Sequence, residues 1–181
     1  MPLKIHLNMD WDNARDFADY FQRILRALSL EHLLMGGSFL DIGCGDGKLI
    51  HEIAKLYPTT KYFGVDHDSN QVERAKRNNP DADIRQGYFH NLPFEDAIFT
   101  VASSDNIFSY ARKGDRILSG EIPTTFRVED LSREVYRVLK KGGVYCAGET
   151  FYETIVDKVS SSGLVPVMDD PLVGFRVFQK Q

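Results

Sequence analysis

The chain has 181 residues, 43% of them hydrophobic and 27% charged, with a formal net charge of −4. This is the composition of a soluble globular protein, long enough to bury roughly 70% of its unfolded surface, and a single domain is expected. No stretch approaches the roughly 20 apolar residues that span a bilayer, and the acidic balance gives no general footprint for nucleic acid. Residues 1–6, Met-Pro-Leu-Lys-Ile-His, lack the apolar run of a signal peptide, so a cytoplasmic location is expected. Two cysteines, Cys44 and Cys146, without a spaced Cys/His set, predict reduced thiols and neither a disulfide framework nor a metal site.

Trp11, Ala14, Phe17, Ala18, Phe21, Ile24, Leu25 and Leu28 recur at helical spacing, with Asp10 or Asp12 available as the cap. Gly36-Gly37 ends a shorter helical piece, so 1–37 is read as N-terminal helices. A strand at 38–42 follows, then a helix over 48–56 stopped by Pro58, a strand at 61–66, and a helix over 69–78 opened by Ser69. Strands at 82–86 and 97–103, a helix over 128–139 and a strand at 143–149 continue the alternation. The tail reads as a helix over 151–161, a strand at 164–168, a turn around Asp169-Asp170-Pro171 and a strand at 173–179. This alternation predicts an α/β fold with a doubly wound, mainly parallel sheet, while the short link between the last two strands makes them antiparallel.

The first strand stops on Asp41 and turns through Gly43, Gly45 and Gly47 into a helix. Three glycines in five positions suggest that a ligand docks against bare peptide. The spacing is G-x-G-x-G, not the G-x-G-x-x-G of dinucleotide folds, and Asp46 beside the helix N-terminus repels phosphate. A nicotinamide-dependent oxidoreductase is thereby disfavoured. The second strand ends on Asp66, where a carboxylate can accept both hydroxyls of a ribose.

Asp41-x-Gly43-x-Gly45-x-Gly47, Gly64-Val65-Asp66, Leu92-Pro93-Phe94 and Leu139-Lys140-Lys141-Gly142-Gly143 resemble, in order, the motifs of class I S-adenosylmethionine-dependent methyltransferases. The resemblance implies a Rossmann-like three-layer sandwich whose seven-stranded sheet carries an antiparallel last strand, with the N-terminal helices over the cofactor side. It implies S-adenosylmethionine as cofactor and S-adenosylhomocysteine as product. Asp41, Gly43, Cys44, Gly45 and Gly47 would serve the amino-acid end, with Ser103 and Ser104 beside them, and Asp66 the ribose. His67, Gln71, Gly87, Tyr88 and Phe89 would lie about the adenine. Tyr88 stands where the family usually has an acid for the adenine amino group, and it cannot accept a hydrogen bond as a carboxylate does. Thr100 replaces another frequent acid, whose usual role is structural.

Methyl transfer needs alignment of acceptor, methyl and sulfur, plus a general base when the acceptor must lose a proton. Asp105 and Glu149 are the candidates for that base; peripheral hydrogen bonding or contact with the cofactor's amino group is the other reading of each. Asp105-Asn106-Ile107-Phe108 is not the Asp/Asn-Pro-Pro-Tyr pattern of amino methyltransferases, which lowers nucleobases as acceptors. Residues 109–126 exceed the family's usual connection and read as a substrate lid or a surface loop. Tyr20, Phe108, Tyr110 and Tyr152 are candidate walls of the pocket. The sequence thus predicts a methyltransferase acting on a small molecule, with no nucleic-acid or membrane partner; a non-catalytic methyltransferase-like binding or scaffold subunit is the alternative. Nothing in it sets the oligomeric state or the acceptor atom.

Overall fold

The computed structural model describes residues 13–105, 107, 128–148, 155–170 and 174–181. Its centre is β1 (Ser38–Ile42), whose five residues are all buried, as expected of a parallel strand covered on both faces. Around it lie β2 (Lys61–Asp66), β3 (Asp83–Gln86), β4 (Phe99–Asp105), β5 (Leu139–Gly148), β6 (Leu164–Asp170) and β7 (Phe175–Lys180). They form one seven-stranded sheet in the order β3-β2-β1-β4-β5-β7-β6. Strands β1 to β5 pair in parallel, and β7 runs antiparallel to both β5 and β6. The order reverses between β1 and β4, and in open α/β sheets that reversal opens a crevice at the carboxyl edge.

Among the described residues, five α-helices cover the two faces: α1 (Ala14–Ala27), α2 (Lys48–Leu56), α3 (Ser69–Asn78), α4 (Val128–Val138) and α5 (Ile155–Ser160). Phe17, Phe21 and Leu25 of α1 join Ile50, Ile53, Val72 and Ala75 over one face of the sheet. Leu131, Val135 and Val138 of α4 and Val159 of α5 pack on Leu40, Ala102 and Tyr145 of the other. Each of the phenylalanine, leucine, isoleucine and valine side chains contributes about 1.5 to 3 kcal/mol by leaving water. Tyr20, a candidate pocket wall, is fully buried instead, with its ring 5.2 Å from Phe175.

The boundaries differ from the sequence reading where side-chain chemistry outweighs pattern. Asn13 caps α1, accepting from the Arg15 N–H, and Asp68 rather than Ser69 caps α3 by accepting from Asn70. Strand β4 continues through Ser104 and Asp105, so the two serines and the acid belong to the strand itself. Strand β5 begins at Leu139: Leu139 pairs with Phe99 and Val144 with Val101, leaving 140–143 as an outward bulge that Gly142 closes at φ +79°. Strand β6 runs through Asp170, where a turn was expected, and β7 starts at Phe175. Trp11, Phe108, Tyr110, Glu149, Tyr152 and the 109–126 insertion lie outside the described residues. Thr100 is structural: its Oγ1 accepts from Ser38 N at 2.9 Å and lies 2.6 Å from Leu33 O, tying the sheet to the turn before it.

One clamp fixes the segment after β3. The Arg137 guanidinium of α4 donates to Leu92 O at 3.0 Å and Phe94 O at 2.8 Å, while Arg85 donates to Pro93 O at 2.5 Å. Glu134 pairs with Arg137 at 2.7 Å and accepts from Leu92 N at 2.8 Å. Every peptide carbonyl of Leu92-Pro93-Phe94 is therefore bound by a charged side chain. Charge-assisted bonds of this kind contribute about 1.5 to 3 kcal/mol each. Arg137→Met should lower the unfolding free energy in urea by about 2 to 4 kcal/mol; an unchanged midpoint would show that the clamp carries no load.

Candidate active site

Strands β1, β2 and β4 end side by side, with Asp41 in register with Gly64 on one side and Ser103 on the other. The chain leaves β1 through Gly43 and Cys44, whose N–H groups donate to Val65 O at 2.8 and 3.0 Å. Gly43, Gly45 and Gly47 have φ of +76°, +52° and +78°, in the region side chains disfavour. Their surroundings separate three jobs. A Cβ on Gly43 would stand 2.9 Å from Ile107 Cδ1, and one on Gly47 would collide with the Asn79 amide. A Cβ on Gly45 would meet nothing within 4 Å, so open space lies against the backbone at that glycine.

Asp66 closes the loop. Its Oδ2 accepts from Gly45 N at 2.9 Å and its Oδ1 from Asp68 N at 3.0 Å. An ionised carboxylate has about four acceptor sites, so two are spent on the backbone and two remain. His67 Nδ1 lies 3.3 Å from Oδ1, with its side chain 42% exposed. On the same side, Gly87 N donates to Asp66 O at 2.9 Å, and Gly87 lies so close to Pro93 and Val65 that a Cβ would stand 2.9 Å from Pro93 Cδ. Gly87 is thus packed against the clamped segment, and Tyr88 and Phe89 follow it, each with its ring beside His90. Gln71 presents a buried Oε1 with no hydrogen-bond partner.

A cleft of about 210 Å³ opens over the end of β1, lined by Phe17 from α1, Asp41, Gly43, Lys48 and Leu49 of α2, and Asp105. Asp41 is buried, and its carboxyl is pushed up to about 8, first by loss of water and then by the negative charges of Asp105 and Asp66. Ser103 Oγ, on the same face, is buried without a partner. Gly148 allows this crowding, since a Cβ there would stand 2.8 Å from Asp105 Oδ1 and 3.0 Å from Phe17. Ser104 faces the other way, its Oγ 2.6 Å from the Tyr145 hydroxyl. Cys44 offers only its backbone: its Sγ is turned towards Gly64, and burial pushes the thiol up.

The structure therefore gathers Asp41, Gly43, Cys44 and Asp105 about the cleft, joins Gly45 to Asp66, and joins Gly87 to the Asp66 peptide. Ser104 and Tyr20 stand apart. Lys48, Leu49 and Ile107 were missed as site neighbours. Lys48 reaches back to Asp46 at 2.9 Å, and its signal was its place in the first turn after the glycines.

Comparison with known proteins agrees with this geometry. The methyltransferase-domain family model matches residues 34–163. A 24-methylenesterol C-methyltransferase 2 of Oryza sativa subsp. japonica is 32% identical over 120 residues, covering 63% of this chain and 29% of that protein. The chain spans about a third of the length of such curated relatives. In fold it is similar to a TehB-like SAM-dependent methyltransferase from Corynebacterium glutamicum, with TM-score 0.62, 19% identity, and 95% of this chain and 100% of that one covered. It is likewise similar to a geranyl diphosphate C-methyltransferase from Streptomyces coelicolor solved with Mg2+, geranyl diphosphate and S-adenosyl-L-homocysteine, with TM-score 0.62, 14% identity, and 91% and 82% covered. The chain belongs to the methyltransferase-domain family, within the class I, Rossmann-like group whose methyl donor is S-adenosylmethionine. The residues present fit that donor: open space against Gly45, spare acceptor sites on Asp66, an unpaired Ser103 Oγ and a buried acid, Asp41.

Because folding raises the Asp41 pKa, this group stabilises the fold fully below its unfolded value near 4 and loses that contribution as pH rises towards about 8. Asp41→Asn, a permanent mimic of the neutral form, should gain stability over the ligand-free wild type between pH 5 and 8, by on the order of 1 kcal/mol per pH unit, and level off above. Thermal melts across that range check it; a pH-independent difference would place the Asp41 titration elsewhere.

Proposed function

We propose that this chain transfers a methyl group from S-adenosylmethionine to a small-molecule acceptor. The bound donor supplies a methyl made electrophilic by its sulfonium, and the protein's task is to orient, to exclude water and to manage one proton. Asp66 holds the ribose diol through the acceptor sites its backbone bonds leave free. Asp41, with Ser103 beside it, takes the ammonium of the amino-acid end. The opening at Gly45 admits the ligand, and Gln71, Gly87, Tyr88 and Phe89 border the adenine with His67. The observation that carries this reading is the pairing of Asp66 with Gly45: one carboxylate is fixed by the glycine loop itself and keeps half its accepting capacity.

Asp105, at the end of β4 and close enough to raise the Asp41 pKa, is our candidate for accepting the acceptor's proton, with Glu149 as the second. Residues 109–126, which come after β4 in the chain, are assigned the role of a substrate lid. A small-molecule acceptor is supported by the relatives, whose names give a sterol and geranyl diphosphate as the molecules they methylate.

Calorimetric titration with S-adenosylhomocysteine tests the donor site. The wild type should bind it, and Asp66→Ala should weaken binding by about 1.5 to 3 kcal/mol, the range for hydrogen bonds to a charged group. No heat with the wild type would sink the reading; an undiminished affinity in the variant would move the ribose away from Asp66.

A further inference from the structure

The cleft over the end of β1 carries opposite charges on its two walls. One wall is acidic: Asp41, 4% exposed, has the buried, unpaired Ser103 Oγ on the same face and Asp105 beyond it. The other wall is the start of α2, where Lys48 and Leu49 line the cleft. Residues here are not those that stabilise a helix start. Gly47, the N-cap, has no side chain to offer the first-turn amides, the first turn holds no acid, and a lysine stands at its first position. The amide of His51 bonds to Gly47 O at 3.0 Å, and the N–H groups of Lys48, Leu49 and Ile50 before it have no acceptor within the helix. A cation in the first turn opposes the helix dipole. Positive charge is thus gathered where helices ordinarily place a carboxylate.

Asp46 offsets part of this charge and not all of it. Its Oδ2 lies 2.9 Å from Lys48 Nζ, the two side chains being 29% and 71% exposed. An ammonium has three donors, and this contact takes one of them. Ion pairs open to solvent in this way hold weakly, so the lysine is not committed to Asp46. Helical side chains lean towards the N-terminus of their helix, which for α2 is the carboxyl edge, where the cleft opens. The cleft of about 210 Å³ therefore sets a buried acid on one side against a lysine with unused donors on the other.

We infer that Lys48, with the first-turn amides of α2 behind it, binds the carboxylate at the amino-acid end of the methyl donor. The inference rests on the methyltransferase reading, which supplies the ligand, and on the assignment of its ammonium to Asp41. In an α-amino acid the ammonium and the carboxylate share one carbon, so a wall that holds the first needs its counterpart close by on the other wall. Charge-assisted bonds from an ammonium to a carboxylate are the stronger kind. A zwitterion also brings no net charge to the cleft, so Asp46 admits it where a phosphate would be repelled.

The test uses the full chain and two probes, S-adenosylhomocysteine and its carboxamide, in which a neutral amide replaces the carboxylate. Both are titrated by calorimetry at constant ionic strength and about pH 6.5, below the α-amino range, so that each keeps its ammonium. The wild type should bind the acid at least about tenfold more tightly than the amide, and Lys48→Met should cut that preference to about threefold or less, the remainder belonging to the α2 amides. Affinity for the carboxamide should be the same in both proteins. Lys48→Arg should keep the preference, and Asp46→Asn, which frees the third donor, should keep or widen it. Thermal melts should show no loss of stability in Lys48→Met, since the side chain is 71% exposed and opposes the dipole. A wild type that binds the two probes alike, a preference undiminished in Lys48→Met, or equal weakening of both probes in that variant would overturn the inference. No heat from either probe with the wild type refutes the methyl-donor site itself.

Discussion

Asp41 is a carboxyl group held out of water at the end of the central strand, close to two further acids, Asp66 and Asp105. A chain that placed three acids at neighbouring strand ends for stability alone would be poorly built, since burial and like charges both oppose ionisation. The arrangement makes physical sense once a cation is to be received there. In the proposed reading a proton on Asp41 relieves the repulsion until a ligand ammonium replaces it. On the proposed reading, burial, the register of β1 against β4 and the glycine loop all prepare that one exchange.

Rigidity around this group comes from elsewhere in the fold. Asn79 donates to Gly47 O at 3.0 Å and binds the start of α2 to α3, so the glycine loop is held from behind. Gly43 leans on Ile107, and Gly87 leans on Pro93, whose segment is gripped by Arg85 and Arg137. Binding groups mounted on strands and locked by surrounding bonds keep their geometry better than groups on free loops.

Much of this was legible in the residues. The strand-ending acids, the glycine spacing and the alternation of elements are local signals, and each reports backbone geometry that few other residues allow. The structure refined them where the deciding contact is distant in sequence. Of three similar glycines, Gly43 answers to Ile107 and Gly47 to Asn79, while Gly45 faces open space. The Lys140 to Gly143 motif looked like a turn before a strand and is a bulge within one, because Leu139 already pairs with Phe99. The role of Arg137 is set the same way, because the Leu92 and Phe94 carbonyls it binds come from a segment far away in the chain.

The proposed ammonium site depends on the charge of Asp41, which carbon-13 NMR of its side-chain carboxyl reads directly. In the ligand-free protein the resonance should titrate near pH 8, and with S-adenosylhomocysteine bound it should report an ionised carboxylate throughout the neutral range. Titration near pH 4 in the free protein, the ordinary range for an aspartate, or a resonance unmoved by the ligand, would contradict the claim that this acid is kept neutral for a cation to come.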